Sequence, residues 1–182
     1  SQDTLGSTRT LESTDENGEV QTKEFPVQMG ASIIENETGR VLAFVGGRDY
    51  NVDQYNIAFE SRRGTGSAIK QLMVYGPALA DNYITPATIP GSEPWTPRNF
   101  GRVTNEWRDA RHWLAVSQNI PNARLYLDMR AQGIDVSKYI RAMGIGEEAL
   151  KDNEFSMPSI SLGQVGLSPT PTEVAAAYAM IG

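Results

Sequence analysis

One stretch limits what this chain can become. Arg62-Arg63-Gly64-Thr65-Gly66-Ser67-Ala68-Ile69-Lys70 is a glycine-rich approach to a helix, and Gln71-Leu72-Met73-Val74-Tyr75 carries the helix on. Ile69, Leu72, Met73, Gly76 and Ala80 fall on one apolar stripe, which predicts a helix over 69–81. Pro77 is expected to kink or end it. Ser67 and Lys70 stand three apart, on one helix face and within reach of each other. A hydroxyl and an amine so held can serve as nucleophile and base, because serine is weak without a partner. Lysine can be that partner only where burial or a nearby cation makes it neutral near pH 7. Backbone N–H groups at the helix start favour an oxyanion forming beside Ser67. Gly64 and Gly66 leave room for a substrate backbone. The competing reading of these four residues alone is a helix cap and a solvated lysine.

Composition removes several other chemistries. The chain has 182 residues, with 40% apolar and 21% charged, which suits one domain with a real core. A net charge of −6 argues against nucleic acid as the main partner. With no cysteine, disulfides, thiolate metal sites and cysteine nucleophiles are all excluded. The single histidine, His112, excludes a multi-histidine metal site, and no metal or cofactor is expected. As a base for Ser67 it would need an acidic orienter, and no Gly-x-Ser-x-Gly motif supports that. A packing or surface role is the expectation for His112.

Residues 1–24 are polar and read as a linker or irregular arm, ahead of a domain over 25–182. The runs 25–34 and 40–45 flank Asn36-Glu37-Thr38-Gly39 and predict a β-hairpin, with Val27, Met29, Ala31 and Ile33 on one side. Residues 83–100 carry four prolines and read as a loop anchored by Trp95 and Phe100. Thr104 is expected to cap a helix running through Trp107 and Trp113 to Val116, with both tryptophans as core or groove wall. Further helices are expected over 122–130, over 136–143 capped by Asp135, and over 174–181 behind the capping box Thr170-Pro171-Thr172-Glu173. A hairpin followed by helices predicts an α+β fold, an antiparallel sheet with helices packed on it. Two strands make a poor sheet, so further strands are expected outside this sequence.

A second constellation, Ser117-Gln118-Asn119, lies fifty residues after Ser67. Alone it reads as a turn between helices with capping side chains. Chemically it offers a hydroxyl to relay a proton and an amide to hold a carbonyl and a lysine. Together and in this order, the two motifs resemble the transpeptidase domain of class A, bifunctional penicillin-binding proteins. The resemblance extends through Gly39-Arg40-Val41-Leu42-Ala43-Phe44-Val45-Gly46-Gly47, Asn56-Ile57-Ala58 with Arg62-Arg63, Trp95-Thr96-Pro97-Arg98-Asn99, Ser117 to Ala123, Ser161-Leu162-Gly163 through Pro169, and Glu173 to Tyr178. It covers roughly 25–182.

The resemblance implies a penicillin-binding, serine β-lactamase-like fold and a serine D,D-transpeptidase that cross-links peptidoglycan stem peptides. Ser67 would form the acyl-enzyme, Lys70 would take its proton, Ser117 would pass a proton to the departing D-alanine, and Asn119 would orient substrate and lysine. Gly66, Trp95 and Gln118 are the candidate substrate contacts. β-Lactam antibiotics would acylate the same serine. The implied location is the extracytoplasmic face of the bacterial cell membrane, through an N-terminal anchor outside this sequence. The sequence departs from the family at Gln71, where proline is common, and at Gly64-Thr65, where glutamine-proline is usual. It contains no Lys-Thr-Gly, so this chain alone is expected to be incomplete, with that motif on a second fragment or chain. Two alternatives stand beside this reading. One is a D,D-carboxypeptidase or β-lactamase-type hydrolase, and the other is a non-catalytic scaffold with the same fold.

Overall fold

The computed structural model describes residues 8–14, 20–51, 53–90, 106–150, 155–164 and 166–181. Its first elements are two hairpins. β1 (Thr8–Thr14) pairs antiparallel with β2 (Val20–Pro26), with Thr8 opposite Pro26 and Thr14 opposite Val20. This part of the polar arm is therefore regular. Its strands are rich in threonine and other strand formers, and Asn17-Gly18, a dipeptide favoured in tight hairpin turns, lies between them in sequence.

β3 (Ala31–Ile34) pairs antiparallel with β4 (Val41–Val45), and a register shift falls between Ile33 and Ile34. The turn is closed by Gly39, at φ +70°, whose N–H donates to the Glu35 carbonyl. The alternation seen from Val27 onward does not make strand before Ala31. Gly30 explains the break, because a Cβ there would lie 2.7 Å from the Ile57 side chain, so the backbone is pressed against the next helix instead. α1 (Ile57–Glu60) packs on this hairpin, with Phe59 edge-on to Phe44 at 5.0 Å.

The helix that follows is the centre of the core. A 3₁₀ turn (Gly66–Ala68) leads into a π turn (Gln71–Tyr75) and then α2 (Gly76–Ala80). Pro77 does not end it. The Gly76 N–H bonds back to the Gln71 carbonyl, five residues earlier, so the wider π register comes just before the proline that cannot donate. A Cβ on Gly76 would lie 2.8 Å from that carbonyl oxygen. The single-stripe expectation also needs correcting. Ile69 through Tyr75 is buried except for the partly covered Gln71, while Ala80 is exposed.

Around this helix stand α3 (Ala110–Ala115), α4 (Asn119–Ala131), α5 (Val136–Ala142) and α6 (Pro171–Ala179). On α4, Asn122, Leu125, Tyr126 and Met129 repeat at helical spacing and are buried. Leu125, Tyr126 and Met129 meet Leu72, Met73, Val136 and Ile140 in one apolar cluster. Asp135 accepts from the Ser137 N–H, and Thr170 with Glu173 completes a full capping box, as their sequence signatures predict. Trp113 is buried in α3, whereas Trp107 precedes the helix and is 61% exposed, so it is not core. α3 instead starts from Asp109, whose side chain accepts from the His112 N–H. Thr104, the expected cap, lies outside the described residues, as do Trp95 and Phe100. Helices packed on antiparallel strands make this an α+β fold.

Candidate active site

The site is built on the start of the central helix. The Gly66 N–H donates to the Gly163 carbonyl at 3.1 Å. Gly64 lies so close to that oxygen that a Cβ there would stand 2.7 Å from it. Gly66 has φ +55°, and the space its missing side chain would enter is open. Ser67 follows in the 3₁₀ turn and is exposed. Three residues on, the Lys70 side chain runs inward, and the residue is only 1% exposed.

The buried amine is surrounded by one short segment. Lys70 Nζ donates to the Ser117 carbonyl at 2.6 Å, to Ser117 Oγ at 3.2 Å, to the Gln118 carbonyl at 3.3 Å and to Asn119 Oδ1 at 2.7 Å. Ser67 is not among its described partners. Burial lowers the lysine pKa to about 8, while four oxygen acceptors favour the ammonium form. Burial thus brings the neutral amine much closer to reach at neutral pH than it is for a solvated lysine.

The geometry of Ser117 follows from how α3 ends. The Ser117 N–H donates to the Leu114 carbonyl, and the Gln118 N–H reaches back to the Trp113 carbonyl. That pair of bonds is the Schellman closure, which needs a left-handed residue just past the helix and normally uses glycine there. Ser117 takes the position at φ +54°. A left-handed non-glycine residue costs about 1–2 kcal/mol, and here it turns both the serine carbonyl and the serine hydroxyl onto Lys70. Gln118 then caps α4, and Asn119 is its first residue. The Gln118 Oε1 is buried and has no partner among the described residues.

Of the residues singled out by sequence, Lys70, Ser117, Gln118 and Asn119 come together, and Ser67 and Gly66 border them along the helix start. Trp95 lies outside the described residues. Asp109 binds the His112 backbone, and the imidazole stacks edge-on against Trp113 at 5.0 Å. This gives His112 a packing environment beside a helix cap. Among the described residues no cluster of three histidine, aspartate or glutamate side chains could hold a metal ion.

Sequence reasoning did not find three further residues. The Tyr178 hydroxyl donates to the Ala68 carbonyl at 2.6 Å. Gly163, at φ +67°, receives the Gly66 N–H. Arg62 pairs with Glu173 at 2.8 Å and with Glu148 at 3.1 Å. Each contact joins segments about 85 to 110 residues apart, so no local pattern announces it.

Residues 29–182 match the family described as penicillin binding protein transpeptidase domain. Penicillin-binding protein 1B of Vibrio cholerae is 32% identical over 164 residues, covering 84% of this chain and 20% of that protein. Penicillin-binding protein 4 of Bacillus subtilis is 29% identical over 162 residues, covering 86% of this chain and 25% of that protein. Among solved structures, penicillin-binding protein 1A from Haemophilus influenzae superposes with a TM-score of 0.70 at 26% identity, over 92% of this chain and 25% of that one. The chain thus spans a fifth to a quarter of the length of these relatives.

Proposed function

The chain belongs to the penicillin-binding protein transpeptidase family, and from that membership we propose that it forms the nucleophile-bearing part of a serine D,D-transpeptidase in a class A enzyme. The supporting observation is the Lys70 amine, buried three residues after an exposed serine and bound by both Ser117 and Asn119. Residues 25–182 are read as the N-terminal and helical part of the domain, and 1–24 as its linker. The proposed location is the extracytoplasmic face of the bacterial cell membrane. No described helix is long and apolar enough to cross a membrane. As part of this proposal, the anchor of a class A enzyme is assigned to another part of the protein. The Lys-Thr-Gly strand is likewise assigned to a further segment or a second chain.

In this reading, Ser67 Oγ attacks the carbonyl carbon of the penultimate D-alanine of a peptidoglycan stem peptide. The serine proton passes to the neutral Lys70 amine. As the C–N bond to the terminal D-alanine breaks, Ser117 Oγ hands a proton to the departing amine and is replenished from Lys70. Asn119 holds the lysine and meets the substrate amide. The amine of a second stem peptide then attacks the ester, forms the cross-link and restores Ser67. Gly66, Gln118 and Trp95 are retained as proposed substrate contacts. The missing Ser67–Lys70 hydrogen bond is compatible with this chemistry, since such bonds tighten when substrate binds. β-Lactams acylate Ser67 by the same opening step, with ring opening in place of departure. Replacing Ser67 with Ala in the full-length protein is expected to abolish covalent labelling by a fluorescent penicillin. Labelling that persists would overturn the assignment.

A further inference from the structure

The two residues on either side of Ser67, Gly66 and Ala68, are each held, through a backbone group, by a hydrogen bond to a distant part of the chain. On the N-terminal side, the Gly66 N–H donates to the Gly163 carbonyl at 3.1 Å. On the C-terminal side, the Ala68 carbonyl accepts from the Tyr178 hydroxyl at 2.6 Å. The serine lies between these two points, while its lysine is held separately by the Ser117–Asn119 segment. We propose that Gly163 and Tyr178 are positioning residues that fix the direction from which Ser67 Oγ meets a carbonyl carbon. The proposal rests on the reading of Ser67 as nucleophile.

The contact at Gly163 has no slack. A Cβ there would overlap the Gly66 carbonyl oxygen, lie 2.6 Å from the Gly66 nitrogen and lie 2.5 Å from Thr65 Oγ1. Only glycine allows this approach, and its φ of +67° independently favours glycine. Gly163 is itself fixed from α4. The buried Asn122 amide donates to the Ser161 carbonyl at 2.9 Å, and the Ser161 hydroxyl bonds the Pro158 carbonyl at 2.6 Å. The contact at Tyr178 is fixed by the anchoring of α6. Thr170 and Glu173 cap that helix, Arg62 holds Glu173 at 2.8 Å, and Thr172 Oγ1 donates to the Ala58 carbonyl at 2.7 Å. The tyrosine ring is partly buried against the core, so its hydroxyl is aimed by packing.

Such residues act on the attack step and not on substrate binding. A nucleophile moved by about 1 Å can lose about 100-fold in rate with little change in affinity. The test uses the full-length protein and benzylpenicillin, and separates the maximal acylation rate from the dissociation constant. Three variants are compared: Tyr178→Phe, Gly163→Ala and Gly133→Ala. Gly133 also has a positive φ, +79°, but a Cβ there meets nothing within 4 Å, so it controls for backbone strain alone. Tyr178→Phe is expected to lower the maximal rate ~10-fold and Gly163→Ala ~100-fold, with the dissociation constant and the pH midpoint of acylation unchanged. Gly133→Ala is expected to acylate as the wild type does. If both test variants acylate at the wild-type rate, or if all three slow equally, the positioning role is overturned. Should Gly163→Ala fail to fold, Tyr178→Phe decides alone. A wild-type protein that takes no penicillin on Ser67 would overturn the nucleophile reading and this inference with it. A labelled wild type with unaffected variants would overturn this inference only.

Discussion

Lys70 Nζ lies 2.7 Å from Oδ1 of Asn119, on a helix that starts nearly fifty residues later. The bond joins two short motifs that have no local reason to meet. The asparagine accepts, so it favours the ammonium form of a lysine that burial pushes the other way. The poise of this amine is the property from which most expected behaviour of the site follows.

Asn119→Ala removes one acceptor from Lys70. Acylation by a penicillin is expected to slow about 100-fold in the full-length protein. The pH midpoint of that rate is expected to move down, since the charged form has lost a partner. Rates measured across pH check both, and an upward move contradicts the account.

The pH profile of the wild type has a definite sign. With Lys70 lowered to about 8, the amine is mostly protonated below that value and cannot take the Ser67 proton. Acylation is expected to rise toward pH 8 and to level off above it. Stability follows the same shift. The folded pKa lies below the ordinary 10.5, so the unfolded chain binds the proton more tightly. Protonation of Lys70 therefore favours the unfolded chain: the penalty is full below about 8 and is relieved as pH rises to about 10.5, so stability rises across that window. Denaturant titrations across that window should show the rise in the wild type and its loss in Lys70→Met.

Glu173 links two structural tasks in one carboxylate. Burial opposes its charge, but the Thr170 backbone N–H and the Arg62 guanidinium outweigh it and hold the carboxyl below its ordinary value of 4.5. The contribution is full above 4.5 and is lost as pH falls through the lowered folded value. Both partners are partly exposed, so the ion pair is worth at most about 1 kcal/mol, and the capping bonds add about 1 kcal/mol. Glu173→Gln keeps an acceptor for the Thr170 N–H, so it loses the ion pair alone and is expected to cost at most about 1 kcal/mol near neutral pH. It should also flatten the acid side of the stability curve, which chemical denaturation from pH 3 to 7 measures.

Asn122 is fully buried on α4 and donates to both the carbonyl and the hydroxyl of Ser161. Asn122→Ala leaves that carbonyl without its donor and is expected to cost about 1–3 kcal/mol. Equilibrium unfolding gives the number, and a value near zero would show that the link between α4 and the Ser161–Gly163 segment carries no load.

What could be read from the sequence was local. The helix that carries Lys70 is announced by its apolar spacing, whereas Ser67 and Lys70 stand out only once the Ser117–Asn119 motif is read with them. Asp135 and Thr170 declare themselves as caps, because a side chain and a backbone N–H two or three residues away settle the matter. The β3–β4 hairpin is legible for the same reason, through its Gly39 turn. The departures come from tertiary context. Pro77 reads as a kink or a stop, and a π turn just before it lets the helix pass. Trp107 reads as part of a helix, yet α3 starts later, at the Asp109 cap. Ser117 sits where a Schellman closure calls for glycine, so no propensity rule points to its left-handed backbone. Gly163 and Tyr178 look like an ordinary turn and helix residue until the fold brings them against Gly66 and Ala68.

The most direct test of the central claim is intact-protein mass spectrometry of the full-length protein after incubation with benzylpenicillin, followed by peptide mapping. The account requires one adduct, located on Ser67, which disappears in Ser67→Ala. An adduct on any other residue, or no adduct in a full-length protein shown to be folded and to contain the Lys-Thr-Gly segment, would contradict it.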